Sequence, residues 1–322
     1  MILKKLSDEV LIDKRDHLLL QTLIKSFVII FPSGIYMLFT EFNILKSFLY
    51  LSFLVCPLMI PYSNLIHVVI HKKMFKNEYK ILEYIHYFVI GIFLGETPFT
   101  HYTHHIGMHH PENNYRNDLS STMHYNRDSI LDFVKYLFKF VVCAYTLLFY
   151  LNRKKRKSFL VKTVLGEMSY IVITVAFLVF NPLQAITVFV LPLIILRIGM
   201  ACTNWAQHAF LDKEDLFNNY KICTTIIDSD YNRKCFNDAF HIEHHSYPLT
   251  HWSNLEQKFI ENSSKYIEHQ SVVFHTLSYL QLFKLLMMKR YRKLASYYVD
   301  LSGDMSEKEI IELLKVRVAK IC

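Results

Sequence analysis

Residues 47–71 read SFLYLSFLVCPLMIPYSNLIHVVIH and contain no Asp, Glu, Lys or Arg. A helix needs about 20 apolar residues to cross the hydrocarbon core of a bilayer, so this stretch is long enough to span a membrane. Its last turn carries His67 and His71, which share one helical face because they are four residues apart. The stretch therefore predicts a membrane-spanning helix that ends in a pair of imidazoles.

Three further spans are predicted around this helix. Residues 18–40 carry a single charged residue, Lys25, and only a short turn separates them from the first stretch. Residues 160–203 are too long for one span, and Asn181-Pro182 divides them, since a proline disfavours helical backbone at the residue before it. The sequence predicts an all-α integral membrane protein of one domain, residues 1–322, with spans in two hairpins near residues 18–40, 47–70, 160–180 and 184–203.

The formal net charge of +8 is concentrated beside these spans. Lys72 and Lys73 follow the second predicted span, and a run of five basic residues at 153–157 precedes the third. Cytoplasmic loops carry an excess of Lys and Arg, which places the termini and the polar regions 71–159 and 204–322 on the cytoplasmic side. The basic residues form no stripe interleaved with aromatic residues, so nucleic acid is not a predicted partner.

Residues 130–150 are apolar but carry Asp132, Lys135 and Lys139 at helical spacing. This pattern favours a helix that lies along the membrane interface over one that crosses the bilayer. A crossing helix here would also place the regions before and after it on opposite sides of the membrane.

Histidine is concentrated in four clusters, each at or beyond the predicted cytoplasmic end of a span. They are HVVIH at 67–71, HYTHH at 101–105, NWAQH at 204–208 and HIEHH at 241–245. Residues at i, i+3 and i+4 share a helical face, so each H-x-x-H-H cluster should direct three imidazoles toward one point. The nine clustered histidines are too many for one four-coordinate zinc and match two metal ions of higher coordination number. We therefore expect a dinuclear site in the cytoplasmic helical region.

The ligand type leaves iron, zinc and copper open, because imidazole suits all three. Iron is favoured if the substrate is a lipid: an apolar chain offers no carbonyl for zinc to polarise, and cleaving its C–H bonds requires an oxidant made from O₂. A shared site also requires the turn at Asn181. Without it, His67 and His208 would lie on opposite sides of the membrane.

In order and spacing, HVVIH, HYTHH and HIEHH resemble the three histidine boxes of the membrane fatty acid desaturase family, and NWAQH resembles the additional Asn-x-x-x-His element of acyl desaturases. The resemblance implies a non-haem centre of two iron ions, O₂ as co-substrate, a lipid substrate and an external electron donor. It implies that the iron ligands are His67, His71, His101, His104, His105, His208, His241, His244 and His245, and that Asn204 holds a metal-bound water. No His-Pro-Gly-Gly haem motif occurs, so the donor is expected to be a separate ferredoxin or cytochrome-b-type protein with its reductase.

His109 and His110 extend the second box. We expect them to orient ligands, and binding of a substrate headgroup is the alternative. The polar run at 114–118 is interpreted as a solvated turn, and His86 and the other unclustered histidines as surface or interfacial residues.

The predicted reaction is desaturation of a fatty acyl chain, in a bacterial inner membrane or the endoplasmic reticulum. A hydroxylase and a decarboxylase that forms a terminal alkene would use the same site. A non-catalytic metal-binding or transport protein is the rival of another class. Transporters usually place polar groups in mid-span near broken helices, whereas these clusters lie at span ends and beyond.

Overall fold

The computed structural model of the chain describes residues 2–141 and 143–321. Within them, four helices are long and apolar enough to cross a membrane. They are Lys14–Phe39, Ile44–His71, Lys157–Phe180 and Pro182–Gln207, named spans 1 to 4. The prediction of a helical protein with four spans is confirmed. Most of the helices run slightly beyond the apolar stretches, because helical hydrogen bonding continues after the hydropathy falls.

The other helices are short, and π-helical stretches interrupt several of them. The α-helices are Ile2–Val10, His17–Phe39, Ile44–Leu49, Cys56–His71, Ile81–Ile85, Gly91–Phe93, Thr100–His104, His110–Glu112, Ile130–Val141, Cys143–Arg153, Lys157–Phe180, Pro182–Ala185, Leu191–Gln207, Asn219–Ile222, Asp230–Lys234, His241–Ser246, Leu255–Glu261, Ser263–Glu268, Tyr279–Met287, Tyr291–Ala295 and Glu307–Arg317. The π-helical stretches are Tyr50–Val55, His86–Ile90, His105–His109 and Ile186–Val190, and 3₁₀ turns cover Lys14–Asp16, Asn77–Tyr79 and Trp252–Asn254.

The chain forms two compact units, each built from two segments. The first unit comprises Met1–Gly107 and Ala144–Arg197, and the second comprises Met108–Cys143 and Ile198–Cys322. Spans 1 to 3 and most of span 4 belong to the first unit. The third histidine box belongs to the second unit.

In the first unit, the turns of the two helical hairpins are hydrogen-bonded to each other. The Asn181 side-chain amide donates to the Leu38 carbonyl at 3.1 Å, and the Gln184 amide donates to the Thr40 carbonyl at 3.1 Å. Asn181 leaves the helical region, with φ −138° and ψ 72°, as expected for a residue before proline. Both turns therefore lie at the same end of the unit, as the predicted pair of hairpins requires.

The core of the second unit is built around the fully buried Trp205 and Arg127. The Trp205 indole N–H donates to the Arg127 carbonyl at 2.9 Å. The Arg127 guanidinium donates to the backbone carbonyls of Thr122, Tyr125, Ala209, Arg317 and Ala319. A buried charge is costly unless its hydrogen bonds are made, and here the backbone supplies them. This network joins three distant segments of the chain beside His208.

A small parallel sheet supports the third histidine box. Strands Thr224–Ile227 and Val272–His275 pair with Thr224 opposite Val272. The sequence predicted helices only, and these short strands are an exception. Their buried, largely apolar residues suit parallel pairing, which needs both faces covered. Helix His241–Ser246 lies between the two strands in sequence and packs against the first of them.

Candidate metal centre

The first unit contains a cluster of three imidazoles, named cluster A. His67 and His71 end span 2, and His105 begins the π-helical stretch of the second box. Their candidate ligand nitrogens lie within 4.8 Å of one another, and the Nε2 atoms of His67 and His105 are 2.9 Å apart. His67 and His105 are buried, and His71 is half-buried. Nitrogens this close are placed to share a metal ion or a proton.

The three histidines of the second box do not all belong to the same imidazole cluster. Among them, His105 is the one grouped with His67 and His71. The His101 ring stacks on the His67 ring with 5.9 Å between centroids, and His101 Nδ1 is 3.5 Å from the Glu96 carboxylate. His104 is half-buried in the last turn of its helix. A ligand role for His101 and His104 stays a prediction.

The second unit contains a cluster of four buried imidazoles, named cluster B, made of His109, His208, His241 and His245. Their candidate ligand nitrogens also lie within 4.8 Å of one another. The Nε2 atoms of His208 and His241 are 3.2 Å apart. The cluster thus joins three distant parts of the sequence: the end of the second box, the residue after span 4, and the third box.

A buried carboxylate orients His109. Asp118 Oδ2 lies 2.7 Å from His109 Nδ1, which leaves Nε2 as the nitrogen that would face a metal. The same carboxylate accepts from the backbone N–H groups of Asn114 and Ser120, each at 2.8 Å, and from the Ser120 hydroxyl at 2.6 Å. A carboxylate behind a ligating histidine fixes the orientation of its ring and raises its basicity.

Two other members of cluster B are held in the same way through Nδ1. His208 Nδ1 lies 3.0 Å from the Ile222 carbonyl, and His245 Nδ1 lies 3.0 Å from the Asn113 side-chain oxygen. The His245 Nε2 atom is buried and has no hydrogen-bond partner among the described residues. A buried ring nitrogen without such a partner fits a metal ligand, because a metal ion would satisfy its lone pair.

Burial also sets the protonation state of two members of cluster B, His208 and His245. It lowers the pKa of His208 to about 3, with a smaller contribution from neighbouring His109. Burial and the neighbouring imidazoles together hold the pKa of His245 well below its usual value. Both side chains are therefore neutral at physiological pH, which is the form that binds a metal. A set of neutral imidazoles fits iron, zinc or copper.

The remaining predicted site residues lie close to cluster B within the second unit. His244 Nε2 is 3.1 Å from His110 Nε2, and the His110 ring stacks on His245 with 4.6 Å between centroids. Asn204 lies one helical turn before His208, where its amide nitrogen donates to the Ser120 carbonyl at 3.0 Å and the Tyr136 hydroxyl at 2.8 Å. The Asn204 side-chain oxygen is left to accept a bond.

Two expectations from the sequence need correction. The polar run at 114–118 is only partly solvated, because Arg116 and Asn117 are exposed but Asn114 and Asp118 are both buried. Among the unclustered histidines, His86 and His251 are not surface residues, since only 2% and 6% of them are exposed. The role of Asp118 was missed because a carboxylate nine residues after a histidine has no regular helical spacing. The turn between them, with Asn113 and Asn114 in left-handed backbone, brings the two together.

The fold and the clusters together define a class: a multi-pass membrane protein with buried imidazole groups suited to metal ions. A model of the fatty acid desaturase family matches residues 46–277, which include all four histidine clusters. The chain belongs to the fatty acid desaturase family, whose members are oxidoreductases that act on fatty acyl chains. No curated protein and no solved structure matches the chain.

Proposed function

We propose that the protein is an O₂-dependent desaturase of a fatty acyl chain linked to a lipid, to CoA or to a carrier. The observation that carries this proposal is cluster B, four buried imidazoles whose candidate ligand nitrogens lie within 4.8 Å of one another, in a chain of the fatty acid desaturase family. Such a set of nitrogens binds a redox-active metal without neutralising its charge.

Each cluster would hold one iron ion. His67, His71 and His105 would bind the first, and His109, His208, His241 and His245 the second. The other box histidines, His101, His104 and His244, would complete the ligand sets, and the Asn204 oxygen would hold a water ligand. When bound, the iron ions supply a site at which O₂ is reduced to an oxidant able to cleave an unactivated C–H bond.

The overall reaction removes two hydrogen atoms from neighbouring methylenes of the acyl chain. O₂ accepts those two electrons and two more from the external donor, with two protons, and leaves as two water molecules. The protein's own contribution is to orient nitrogens and exclude water: Asp118 holds His109, the Ile222 carbonyl holds His208, and Asn113 holds His245.

The proposed partners follow from this chemistry. The acyl chain enters from the bilayer, and the electrons come from a separate ferredoxin or cytochrome-b-type protein with its reductase. The histidine boxes and termini face the cytoplasm, in a bacterial inner membrane or the endoplasmic reticulum, because the basic clusters lie beside the span ends remote from the hairpin turns.

Two rivals use the same residues. Transfer of oxygen to the substrate would make the protein a hydroxylase, and loss of the substrate carboxylate would make it a terminal-alkene-forming decarboxylase. A non-catalytic metal-binding or transport protein would keep the clusters and leave lipids unchanged.

The test is mass-spectrometric profiling of lipids and hydrocarbons from a host that expresses the wild type, His245→Ala or His17→Ala under matched aeration. His245 belongs to cluster B, whereas His17 is exposed at the start of span 1 and serves as the matched control. We expect a product two mass units below its parent in the wild type and the control, and its loss in His245→Ala.

Other products would assign the rivals. A product sixteen mass units above its parent would indicate hydroxylation, and a terminal alkene would indicate decarboxylation. If the lipids do not differ, the purified wild type is analysed for iron. Absence of bound iron would reject the proposal.

A further inference from the structure

Two oppositely charged residues lie within the membrane-spanning helices of the first unit. Glu167 is on span 3 and Arg197 on span 4, with 3.4 Å between the Arg197 nitrogen and the Glu167 oxygen, and both side chains are largely buried. Each is ten residues from the end of its span remote from the Asn181 turn, which is about 15 Å along a helix. Charged groups at such depth are costly, so they indicate a role beyond filling space.

The pair binds the hydroxyl groups of the segment that precedes the second histidine box. Thr97 donates to Glu167 Oε1 at 2.9 Å, and Thr100 donates to the same oxygen at 2.5 Å. Arg197 also donates to the Thr97 hydroxyl at 3.1 Å. One carboxylate oxygen therefore holds two positions of this segment against spans 3 and 4.

Two glycines allow the segment to touch the backbone of these spans. A methyl group on Gly166 would overlap the Pro98 carbonyl oxygen, so the segment lies directly on span 3. Gly95 has a φ of +83°, and a methyl group there would overlap the backbone of Pro192 on span 4. The segment 95–100 is therefore held both by close backbone contact with spans 3 and 4 and by hydrogen bonds to the buried charged pair.

The segment leads directly into the proposed metal ligands of cluster A. Thr100 starts the helix Thr100–His104, and Thr163 of span 3 donates to the Thr103 hydroxyl of that helix at 2.8 Å. The helix is therefore anchored on two successive turns before His105.

Glu96 links the segment to span 2, close to the first box. Its carboxylate accepts from the Ser63 hydroxyl at 3.0 Å and lies 3.5 Å from His101 Nδ1. Ser63 is one helical turn before His67 on span 2. The same short segment thus contacts spans 2, 3 and 4 and His101 of the second box.

We propose that Glu167 and Arg197 are positioning residues that hold the segment 96–100, and through it the second histidine box, in the geometry that binds a metal at cluster A. This proposal rests on the proposed function, which gives the box a metal to bind. The competing explanation is that the pair only stabilises the packing of spans 3 and 4.

The two explanations differ in what happens when both charges are removed. A single Glu167→Leu change leaves Arg197 buried without its partner, which destabilises a protein by itself. The double change Glu167→Leu with Arg197→Leu removes that penalty but does not restore the acceptor for Thr97 and Thr100. Glu167→Gln keeps an acceptor oxygen and removes only the charge.

The experiment titrates the purified, metal-free full-length chain in detergent with Co²⁺. It records the ligand-field absorption of the bound ion and, separately, the melting temperature of each metal-free protein. The variants are Glu167→Leu, the double variant, Glu167→Gln and Gly166→Ala. The matched control is Ser169→Ala, because the Ser169 hydroxyl donates to the Leu165 carbonyl of its own span.

We expect Glu167→Leu, the double variant and Gly166→Ala to lose about 10- to 100-fold in affinity for one Co²⁺ equivalent, as for other groups that orient ligands. Glu167→Gln and Ser169→Ala should bind within about threefold of the wild type. The double variant should recover melting temperature relative to Glu167→Leu without recovering affinity.

Two results would overturn the proposal. One is a wild-type affinity in all variants, and the other is an affinity that returns together with the melting temperature in the double variant. A wild type that binds no Co²⁺ would instead reject the proposed function, so the two failures are distinguishable.

Discussion

Asp118 decides which nitrogen of His109 faces cluster B. The aspartate is buried and accepts hydrogen bonds from two backbone N–H groups and the Ser120 hydroxyl as well as contacting His109 Nδ1. Those extra donors hold the carboxylate still. Because the ring is fixed before any metal arrives, a change at Asp118 should act on metal binding more than on the fold.

We expect Asp118→Asn to weaken metal binding by about 10- to 100-fold. The amide preserves the size of the side chain but can offer only one accepting oxygen, so the ring loses its charged partner. Titration of the metal-free protein with Co²⁺ measures the effect, and Asp132→Asn, on helix Ile130–Val141 of the same unit, is the control. Equal affinities for Asp118→Asn and the wild type would contradict the role assigned to Asp118.

His86 is the second residue whose environment was not evident from the sequence. It is buried in the first unit, and its Nδ1 has no hydrogen-bond partner among the described residues. Burial lowers the pKa of His86 to about 3. The unfolded chain therefore takes up a proton below about pH 6.5 that the folded protein does not, and stability falls as the pH is lowered toward 3.

Replacing His86 with Phe should reduce the pH dependence of stability. Between pH 7 and pH 5 the wild type should lose about 2 kcal/mol of unfolding free energy through this one group, and His86→Phe should not. Chemical denaturation in detergent at the two pH values measures the difference. His17→Phe, at an exposed position, should keep the wild-type pH dependence. If both variants respond to pH like the wild type, the pKa of His86 does not differ between the folded and unfolded chains, which would contradict this prediction.

At the scale of elements, the π-helical stretch His105–His109 assigns its first and last histidines to different clusters. In an α-helix, residues four apart share a face, so His105 and His109 would be directed the same way. In the structure His105 belongs to cluster A, and His109 belongs to cluster B. The extra residue of a π-helical turn changes the direction of every later side chain, and its presence depends on packing that the spacing of histidines does not encode.

Helix Ile130–Val141 has a buried face and an exposed apolar face. Phe133, Tyr136 and Phe140 point into the core of the second unit. On the other side, Leu131 is 66% exposed and Phe138 is 73% exposed. Lys135 and Lys139 border the exposed apolar sector. A helix with this surface is suited to the boundary between headgroups and acyl chains, with the lysine amines reaching the headgroups.

We expect a spin label at Phe138→Cys to lie in the interfacial region of the bilayer. In a cysteine-depleted protein in vesicles, its collision rate with O₂ should be high and its collision rate with a water-soluble nickel complex low. A label at Glu312→Cys, exposed on helix Glu307–Arg317, should show the reverse. Similar nickel collision rates at the two sites would show that the helix does not contact the membrane.

At the scale of the whole molecule, the hydrogen bonds between the hairpin turns have a topological consequence. Because the turns at residues 40–43 and at Asn181 lie at the same end of the first unit, all four spans start or end there. The basic residues at 153–157 precede span 3, at its other end. The excess of Lys and Arg then predicts that the turns face away from the cytoplasm.

Cysteine labelling of intact cells tests this orientation. In a cysteine-depleted background, Glu41→Cys and Leu183→Cys should react with a membrane-impermeant reagent, whereas Lys155→Cys should react only after permeabilisation. All three positions are exposed in the structure, so burial does not limit the reaction. The opposite pattern would place the histidine boxes outside the cytoplasm.

The number and approximate bounds of the spans, the hairpin turn at Asn181 and the presence of imidazole groups could all be read from the sequence. Each depends on short-range information: the hydropathy of about 20 consecutive residues, the backbone restriction before a proline, and side-chain spacing within a turn or two of helix. The family assignment rests on the same local motifs, and the match over residues 46–277 confirms it.

The grouping of the histidines and their supporting residues required the folded chain. His208 meets His241, and Glu167 meets Thr97, across long stretches of sequence, and a local pattern carries no information on contacts of that kind. The same is true of burial: Asp118 lies in a polar run with the composition of a solvated turn, and Arg116 and Asn117 of that run are exposed, yet Asp118 itself is buried. Contacts distant in sequence are fixed by the cooperative packing of whole elements, which no single stretch of residues specifies.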